Sequence, residues 1–483
     1  MTDRSRPSAP VAMYQQSTLD NGVRIVTETT DSRVVSVGVW IEVGARDEHD
    51  LTNGSSHFVE HMLFKGTKRR NAHQIARELD VMGGMANAFT ATETTCVYAT
   101  VLADRLPQLA DLLADIVLNS SFLPAEVENE REVILQEIAM VEDTPDDLVH
   151  DLFNRELWGR HPLGNTVLGS PRVVGALTSH HLLDYVQRHY TPGRILIAAA
   201  GQVEHESFRK LWAKPFGKIR GGTGERPAVP AAVSDRRGRK ISGHGAPQVA
   251  ASGTAMRTPV REPARSPQDA VPRDRLPAAF SRRAPEYREP ARRVFDRGLE
   301  QVHLVMGTYG LGETDPDRYA LQLLNTVLGG NMSSRLFQEI REKRGLAYSV
   351  YSYLNANSDS GSLGVYLGVD PLAAEEAVGL VGKEIRRLVR EPIAAEVLAE
   401  ARDYARAVIM LAEENTEARM CRLARNVINF DRDLPLPEIL AGFDRVTSAD
   451  IIGIAEKIFL RPLSAVALGP LDDGLLDWDA LDE

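Results

Sequence analysis

The pentad His57-Phe58-Val59-Glu60-His61 is the feature that most constrains what this chain can fold into. Four residues make about one helical turn, so on a helix both imidazoles lie on one face, about 6 Å apart along the axis. Glu60, three residues after His57, borders the same face. This H-x-x-E-H spacing is typical of a helix that binds zinc. The alternative, two ordinary polar histidines near a helix start, stays open until a third ligand is found.

The composition is that of a soluble protein with several domains. The chain has 483 residues, of which 43% are hydrophobic, and a formal net charge of -11, which disfavours nucleic acid as a partner. Its two cysteines, Cys96 and Cys421, lie far apart, which favours a reducing compartment over a disulfide framework. The first thirty residues contain no apolar run fit for a signal sequence, and no later run approaches the length of a membrane span, about twenty residues. We therefore expect a cytoplasmic protein without a membrane partner.

Changes in composition predict four parts along the chain. Residues 1–12 form a flexible tail, 13–216 a zinc-binding catalytic domain, 217–293 a linker and 294–483 a second domain. The linker is rich in Pro, Ala and Arg and holds 17 Lys and Arg against 7 Asp and Glu. Because Phe280 and Tyr287 are its only aromatic residues, a solvated, mainly disordered linker is favoured over a nucleic-acid-binding arm.

Strand and helix patterns follow one another in a similar order on both sides of the linker. Val35, Val37, Val39 and Ile41 alternate as in a strand, and amphipathic helices follow the strands. No sequence repeat accompanies this recurrence. The pattern predicts an α+β fold with two similar halves, each a mostly antiparallel sheet with helices on one face.

A helix over residues 125–141 contains the candidate third ligand. Glu130 and Glu137 lie seven residues apart and flank Ile134 on the apolar stripe of that helix. A carboxylate on a buried face needs a partner such as a cation or a metal. A catalytic zinc has three protein ligands and one open position, and two histidines with a glutamate form a known set.

With these residues the chain resembles the M16-type zinc peptidases, the family of mitochondrial processing peptidase, pitrilysin and insulin-degrading enzyme. In that family the third ligand follows the second histidine by some seventy-five residues, and here Glu137 lies 76 residues beyond His61. The resemblance implies one Zn²⁺ per chain, held by His57, His61 and Glu137. It further implies Glu60 as the general base and Glu130 as the residue that orients a ligand histidine.

The resemblance extends to residues 15–215 and 294–470, whereas the linker is several times longer than is usual for the family. Asn87, Ala88 and Phe89 resemble the family's edge strand, which pairs with the extended substrate backbone. Arg341 and Tyr348, seven residues apart, resemble a pair that holds substrate carbonyls and the transition state. Without the resemblance, Arg341 would be assigned to a solvated helix face and Tyr348 to the core of a sheet.

Together these features predict a zinc-dependent metalloendopeptidase that cleaves peptides or unfolded segments. The resemblance implies a homodimer, or a heterodimer with a related chain, in which the metal of one subunit meets the Arg–Tyr pair of the other. The acidic chain favours basic peptides as substrates. The alternative is a non-catalytic scaffold or peptide-binding member of the same family, which would be expected to lack a ligand or the base. All four of those positions are intact here.

Overall fold

The computed structural model describes residues 13–219, 282, 285–471 and 476–481. The predicted tail, 1–12, lies outside the described residues, as do 220–281 and 283–284 of the predicted linker. The prediction that the linker is mainly disordered therefore falls mostly on residues outside the described ranges.

The first half of the chain forms a six-stranded sheet covered by helices. Its strands are β1 (Met13–Thr18), β2 (Arg24–Thr29), β3 (Val34–Ile41), β4 (Met85–Thr90), β5 (Thr95–Leu102) and β6 (Ile195–Gly201). Its helices are α1 (Ser55–Leu63), α2 (Ala72–Met82), α3 (Leu106–Asn119), α4 (Pro124–Glu142), α5 (Pro145–Trp158), α6 (Pro171–Val174), α7 (Ser179–His189) and α8 (His205–Phe216). The alternating valines of β3 face a core that α1, α3, α4, α7 and α8 complete, as the period-2 pattern predicts.

The second half forms a five-stranded sheet and six helices. Its strands are β7 (Arg292–Asp296), β8 (Val302–Gly310), β9 (Ala347–Ala356), β10 (Gly361–Val369) and β11 (Ser464–Gly469). Its helices are α9 (Arg318–Leu328), α10 (Ala374–Arg390), α11 (Ala395–Ala412), α12 (Thr416–Phe430), α13 (Leu436–Asp444) and α14 (Ser448–Phe459). A π-helical segment, Phe337–Glu342, precedes β9.

The two sheets share one topology, although the two halves share no sequence repeat. The strand order is β1-β2-β6-β3-β5-β4 in the first sheet and β7-β11-β8-β10-β9 in the second. Adding five to each strand number from β2 onward turns the first order into the second. In both sheets one pair is parallel, β2 with β6 and β7 with β11, and the other pairs are antiparallel. The prediction of two similar, mostly antiparallel α+β halves is confirmed, and β4 and β9 occupy equivalent edges.

The described residues group into two compact units whose boundaries differ from the predicted ones. The first unit contains 13–219, 282, 285–286 and 402–444, and the second contains 287–401, 445–471 and 476–481. Residues 402–444, which the sequence analysis assigns to the second domain, thus pack with the first sheet. Hydrophobic periodicity reveals that α12 has an apolar face, but it does not reveal which sheet that face covers.

Helix α12 covers the face of the first sheet that lies opposite α1 and α3. Four of its side chains, Met420, Leu423, Ala424 and Val427, are buried against Trp40, Cys96 and the neighbouring strand residues. The first sheet therefore has helices on both faces, whereas the sequence analysis expects them on one face only. The helix on the second face, α12, comes from beyond the linker.

Buried charges join α12 to β2 as well. The Glu28 carboxylate lies 2.5 Å from a guanidinium nitrogen of Arg419 and 2.7 Å from one of Arg422. Burial raises the pKa of Glu28 even though both arginines lower it. Removing both arginines would be costly because it would leave the buried Glu28 charge uncompensated.

None of the helices in the described ranges has both the length and the apolar character of a membrane span.

Truncation of an α12 core residue tests this packing. Leu423 is fully buried, so Leu423→Ala should lower the free energy of unfolding by about 2–5 kcal/mol, the usual cost of a buried Leu-to-Ala change. Leu411, in α11, is 73% exposed, and Leu411→Ala is the matched control, with an expected change of about 0.5 kcal/mol or less. Urea unfolding followed by circular dichroism measures both, and equal losses would contradict the packing of α12 on this sheet.

Candidate metal centre

Helix α1 presents two histidines on one side and an apolar surface on the other. Phe58, Val59 and Met62 are buried in the core, which fixes the helix on the sheet. His57 and His61 lie on the remaining face, with ring centroids 4.6 Å apart and ring planes inclined at 70°. Both side chains are mostly shielded from solvent, since 11% of His57 and 17% of His61 is exposed. The i,i+4 spacing therefore places both imidazoles together, as the sequence predicts.

The start of α1 is held by a buried carboxylate that the sequence analysis did not identify. Glu48 is fully buried and accepts hydrogen bonds from the backbone N–H of Gly54 at 2.7 Å and of Ser56 at 2.6 Å. The Asn53 amide donates a third bond at 3.1 Å. The first N–H groups of a helix lack partners within the helix, and the oxygens of Glu48 supply these partners. The sequence signal would have been an acidic residue a few positions before Asn53-Gly54-Ser55.

Gly54 makes this cap possible. Its φ of +94° lies in the left-handed region, and a Cβ there would come within 2.7 Å of the Leu168 carbonyl oxygen. A residue with a side chain would shift the start of α1, and with it His57.

Helix α4 brings the third candidate ligand to α1. Val127, Ile134 and Ile138 are buried in the same core as the apolar side of α1. The Arg131 guanidinium lies 5.7 Å from the Phe58 ring centroid and donates to the Leu177 carbonyl oxygen at 2.6 Å. Together these contacts fix how α4 lies against α1, and therefore where its carboxylates fall.

Glu137 completes a group of three metal donors. Its Oε2 lies 3.7 Å from Nε2 of His57 and 3.5 Å from Nε2 of His61. Within the described ranges these three residues are the group whose ligand atoms all lie within 4.8 Å of one another. Zinc bonds of about 2.0–2.2 Å in a tetrahedral site place neighbouring donors about 3.3–3.6 Å apart. The donor types and separations fit a zinc ion with one open position.

The electrostatics of His57 suit a metal ligand. Burial, and then the charge of His61, lower the pKa of His57 to about 4, so its imidazole is neutral and keeps a lone pair near pH 7. Its Nδ1 is buried without a hydrogen-bond partner among the described residues. The atom that faces Glu137 is Nε2.

Glu130 lies behind His61. Its Oε2 is 3.1 Å from Nδ1 of His61, and its Oε1 is 2.5 Å from the Lys65 ammonium. A proton on Nδ1 that is donated to this carboxylate leaves the Nε2 lone pair directed toward Glu137. The structure thus brings Glu130 to the place where an orienting residue is expected.

Glu60 lies between the histidines in sequence and contacts the edge strand in space. Its carboxylate accepts a hydrogen bond from the Thr90 hydroxyl at 2.6 Å, and Thr90 is the last residue of β4. Burial raises the pKa of Glu60. Asn87, Ala88 and Phe89 belong to the same strand, which forms one edge of the first sheet.

Arg341 and Tyr348 meet each other in the second unit. The Arg341 guanidinium carbon lies 5.1 Å from the Tyr348 ring centroid and 4.7 Å from that of Phe337. Arg341 belongs to the π-helical segment, a form that occurs frequently at functional sites. Tyr348 lies on the edge strand β9 and is 81% exposed, so it is not the core aromatic that a strand pattern alone indicates.

The pH dependence of stability tests the buried state of Glu48. Burial raises its pKa from 4.5 to about 7. The folded protein therefore binds this proton more tightly than the unfolded chain, so the contribution of Glu48 to stability is present below pH 4.5 and is lost as the pH rises toward 7.

Relative to a Glu48→Gln variant, the free energy of unfolding of the native chain should fall by about 3 kcal/mol between pH 4.5 and pH 7. Urea unfolding of both proteins at several pH values measures this slope. A difference that stays constant over that range would contradict a raised pKa at Glu48.

Comparison of the chain with known proteins identifies its family. Residues 24–171 match the family described as insulinase (peptidase family M16), and residues 176–404 match the peptidase M16 inactive domain. An uncharacterized zinc protease of Streptomyces coelicolor is 36% identical over 96% of this chain and 91% of its own length. One from Bacillus subtilis is 33% identical over 95% of this chain and 98% of its own length.

Solved structures show the same fold. A protease from Helicobacter pylori has a TM-score of 0.79 at 19% identity and covers 95% of this chain and 100% of its own. A peptidase M16 inactive domain from Pseudomonas fluorescens has a TM-score of 0.77 at 17% identity, with 95% and 98% covered. From the matched family regions and the relatives named zinc proteases, the chain belongs to peptidase family M16.

Proposed function

We propose that this protein is a zinc-dependent endopeptidase that cleaves peptides or unfolded segments. The observation that carries the proposal is the convergence of Glu137 on His57 and His61, with the candidate base, Glu60, bound to the edge strand β4. Zinc held by the three residues would polarise the scissile carbonyl and make an attacking water more acidic.

Glu60 is the proposed general base. Its carboxylate takes a proton from the attacking water and passes it to the leaving amine. A carboxylate whose pKa is raised by burial is the stronger base, and the Thr90 hydroxyl holds it in one orientation. Glu130 acts as a positioning residue, because it accepts the Nδ1 proton of His61 and so fixes that ring.

The edge strand β4 is the proposed substrate platform. An extended peptide that pairs with such an edge gains affinity from main-chain hydrogen bonds, which select weakly among side chains. Asn87, Ala88 and Phe89 would then contact the substrate backbone, and their strand ends at the hydroxyl that binds Glu60. Broad sequence tolerance with a preference for extended, unfolded segments follows from this mode of binding.

Arg341 and Tyr348 are proposed to act on the substrate from the second unit. The exposed Tyr348 hydroxyl donates to the oxygen that develops negative charge, and the Arg341 guanidinium orients a neighbouring carbonyl. The stacking of the guanidinium on the tyrosine ring supports a joint role, since it holds two mobile side chains in one arrangement.

We further propose that the protein acts in the cytoplasm as a dimer, with itself or with a related chain, and prefers basic peptides. Two observations support parts of this proposal. Both cysteines are free, and the net charge of -11 favours cationic substrates.

A Glu60→Gln variant tests the proposed base. Cleavage of a fluorogenic peptide should slow by about 10²–10⁴-fold, since the amide cannot take up the proton, while zinc content stays at one ion per chain. Glu132→Gln, at an exposed position of α4, is the matched control and should cleave at the native rate. Removal of zinc by a chelator should abolish cleavage in the native chain and in the control.

Turnover by Glu60→Gln within about threefold of the native rate would remove Glu60 as the base. A native chain that binds zinc yet cleaves none of a diverse peptide mixture would instead favour the peptide-binding scaffold.

A complementation experiment tests whether subunits share a site. Each single variant, Glu60→Gln and Tyr348→Phe, should be nearly inactive alone. If the metal of one subunit works with the tyrosine of the other, a mixture regains activity, because mixed dimers contain one site with both native residues. A 1:1 mixture that has exchanged subunits and stays inactive would contradict shared sites.

A further inference from the structure

One guanidinium from the predicted linker is buried in the first unit. Arg282 contacts Asp47 with two nitrogens, Nε at 3.2 Å from Oδ1 and a terminal nitrogen at 2.8 Å from Oδ2. The same terminal nitrogen lies 2.7 Å from the Glu93 carbonyl oxygen and 3.3 Å from that of Glu42. Only 10% of the Arg282 side chain is exposed. A solvated linker residue does not show such contacts, so this arginine departs from the predicted character of its segment.

The pocket around Arg282 is built from two short loops. One contains Asp47, which is buried and also accepts a hydrogen bond from the Gly44 N–H at 3.1 Å. The other contains Glu93, whose carboxylate lies 2.6 Å from a guanidinium nitrogen of the buried Arg46. We call this set, Asp47 and Glu93 with the carbonyl oxygens of Glu42 and Glu93, the acidic pocket.

Arg282 donates hydrogen bonds to Asp47, whereas Arg194, which also lies near Asp47, does not. The nearest Arg194 nitrogen is 3.8 Å from Asp47 Oδ1, beyond hydrogen-bond distance, and it has no hydrogen-bond partner within the described residues. The planar fork of a guanidinium fits both oxygens of a carboxylate, whereas an ammonium is a single point donor. The acidic pocket is therefore shaped for a guanidinium.

The position of the acidic pocket links it to the metal centre. Asp47 directly precedes Glu48, which caps the start of the helix that bears His57. Glu93 follows Thr90, the partner of Glu60, by three residues. Arg282 thus connects two loops. One leads to the start of α1, which we call the metal helix, and the other follows the edge strand β4, beside Glu60.

We propose that the acidic pocket is a guanidinium-binding site, that Arg282 is its resident ligand, and that this docked arginine positions the metal helix. The first two parts are independent of the chemistry at the metal centre, and the third rests on the proposed function. Arg282 is a positioning residue in this scheme, since it acts through Asp47 and the adjoining Glu48.

An Arg282→Ala variant of the full chain tests the site. N-ethylguanidinium replaces the atoms that this change removes. Amide hydrogen exchange across residues 42–48 and 91–94 should become about tenfold faster in the variant and return toward the native rate with millimolar N-ethylguanidinium. Calorimetry should show the compound binding to the variant and not to the native chain, whose pocket is filled.

Three controls sharpen this test. Ethylammonium should not restore protection, because its single nitrogen cannot occupy the positions of both Nε and the terminal nitrogen of Arg282. Arg282→Lys should also exchange faster, for the same geometric reason. Arg288→Ala, at an exposed position six residues further along the chain, should match the native chain. Unchanged exchange in Arg282→Ala, or restoration by ethylammonium as strong as by N-ethylguanidinium, would overturn the guanidinium site.

The positioning part has its own readout. In Arg282→Ala, kcat for peptide cleavage should fall about tenfold with KM nearly unchanged, and zinc affinity should fall with it. N-ethylguanidinium should restore both. A variant that loses loop protection but keeps native kcat and zinc affinity would overturn positioning and leave the guanidinium site standing. If the proposed function itself is wrong, the native chain will show no zinc-dependent cleavage, which distinguishes that outcome from a failure of positioning.

Discussion

The candidate site depends on how α4 packs against α1. The two histidines are set by a helical turn, but Glu137 reaches them only because the buried face of α4 shares a core with the buried face of α1. Arg131 reinforces this packing by lying over Phe58 and bonding a carbonyl beyond α6. A displacement of one helix past the other by the rise of a single residue, about 1.5 Å, is large compared with the variation of zinc–ligand distances, about 0.2 Å. The metal centre is thus a product of core packing as much as of ligand identity.

Helix periodicity and family spacing predict part of the site, whereas contacts made by loops leave no signal in the sequence. The pairing of His57 with His61 follows from helix periodicity, and Glu137 follows from spacing within a known family pattern. Glu48 and Arg282 were missed because their partners are set by loops. A backbone N–H that needs a cap leaves no periodic signal. A Pro-rich segment has the same composition whether its arginine is solvated or buried. Tyr348 shows the same limit, because a strand pattern does not distinguish a buried aromatic from an exposed one on an edge.

The repeated topology explains why chemistry is distributed over two different stretches of the chain. Strands β4 and β9 occupy equivalent edges of equivalent sheets. In the first half the proposed base, Glu60 of α1, is hydrogen-bonded to Thr90 at the end of β4. In the second half Tyr348 lies on β9 and contacts Arg341 of the π-helical segment. An edge strand leaves backbone groups unpaired, which makes it the natural place for an extended peptide to bind. Two sheets of the same topology thus carry different side chains at equivalent edges.

The contribution of α12 to the first sheet has a consequence for the order in which the protein is made. Synthesis proceeds from the N-terminus, so β2, β3 and β6 leave the ribosome more than two hundred residues before α12 does. Until then the face that contains Trp40 and Cys96 has no cover and exposes apolar surface. The first half of the chain therefore matures only after most of the second half has been translated. Fragments that end within the linker would contain all three candidate metal ligands and still be prone to aggregation.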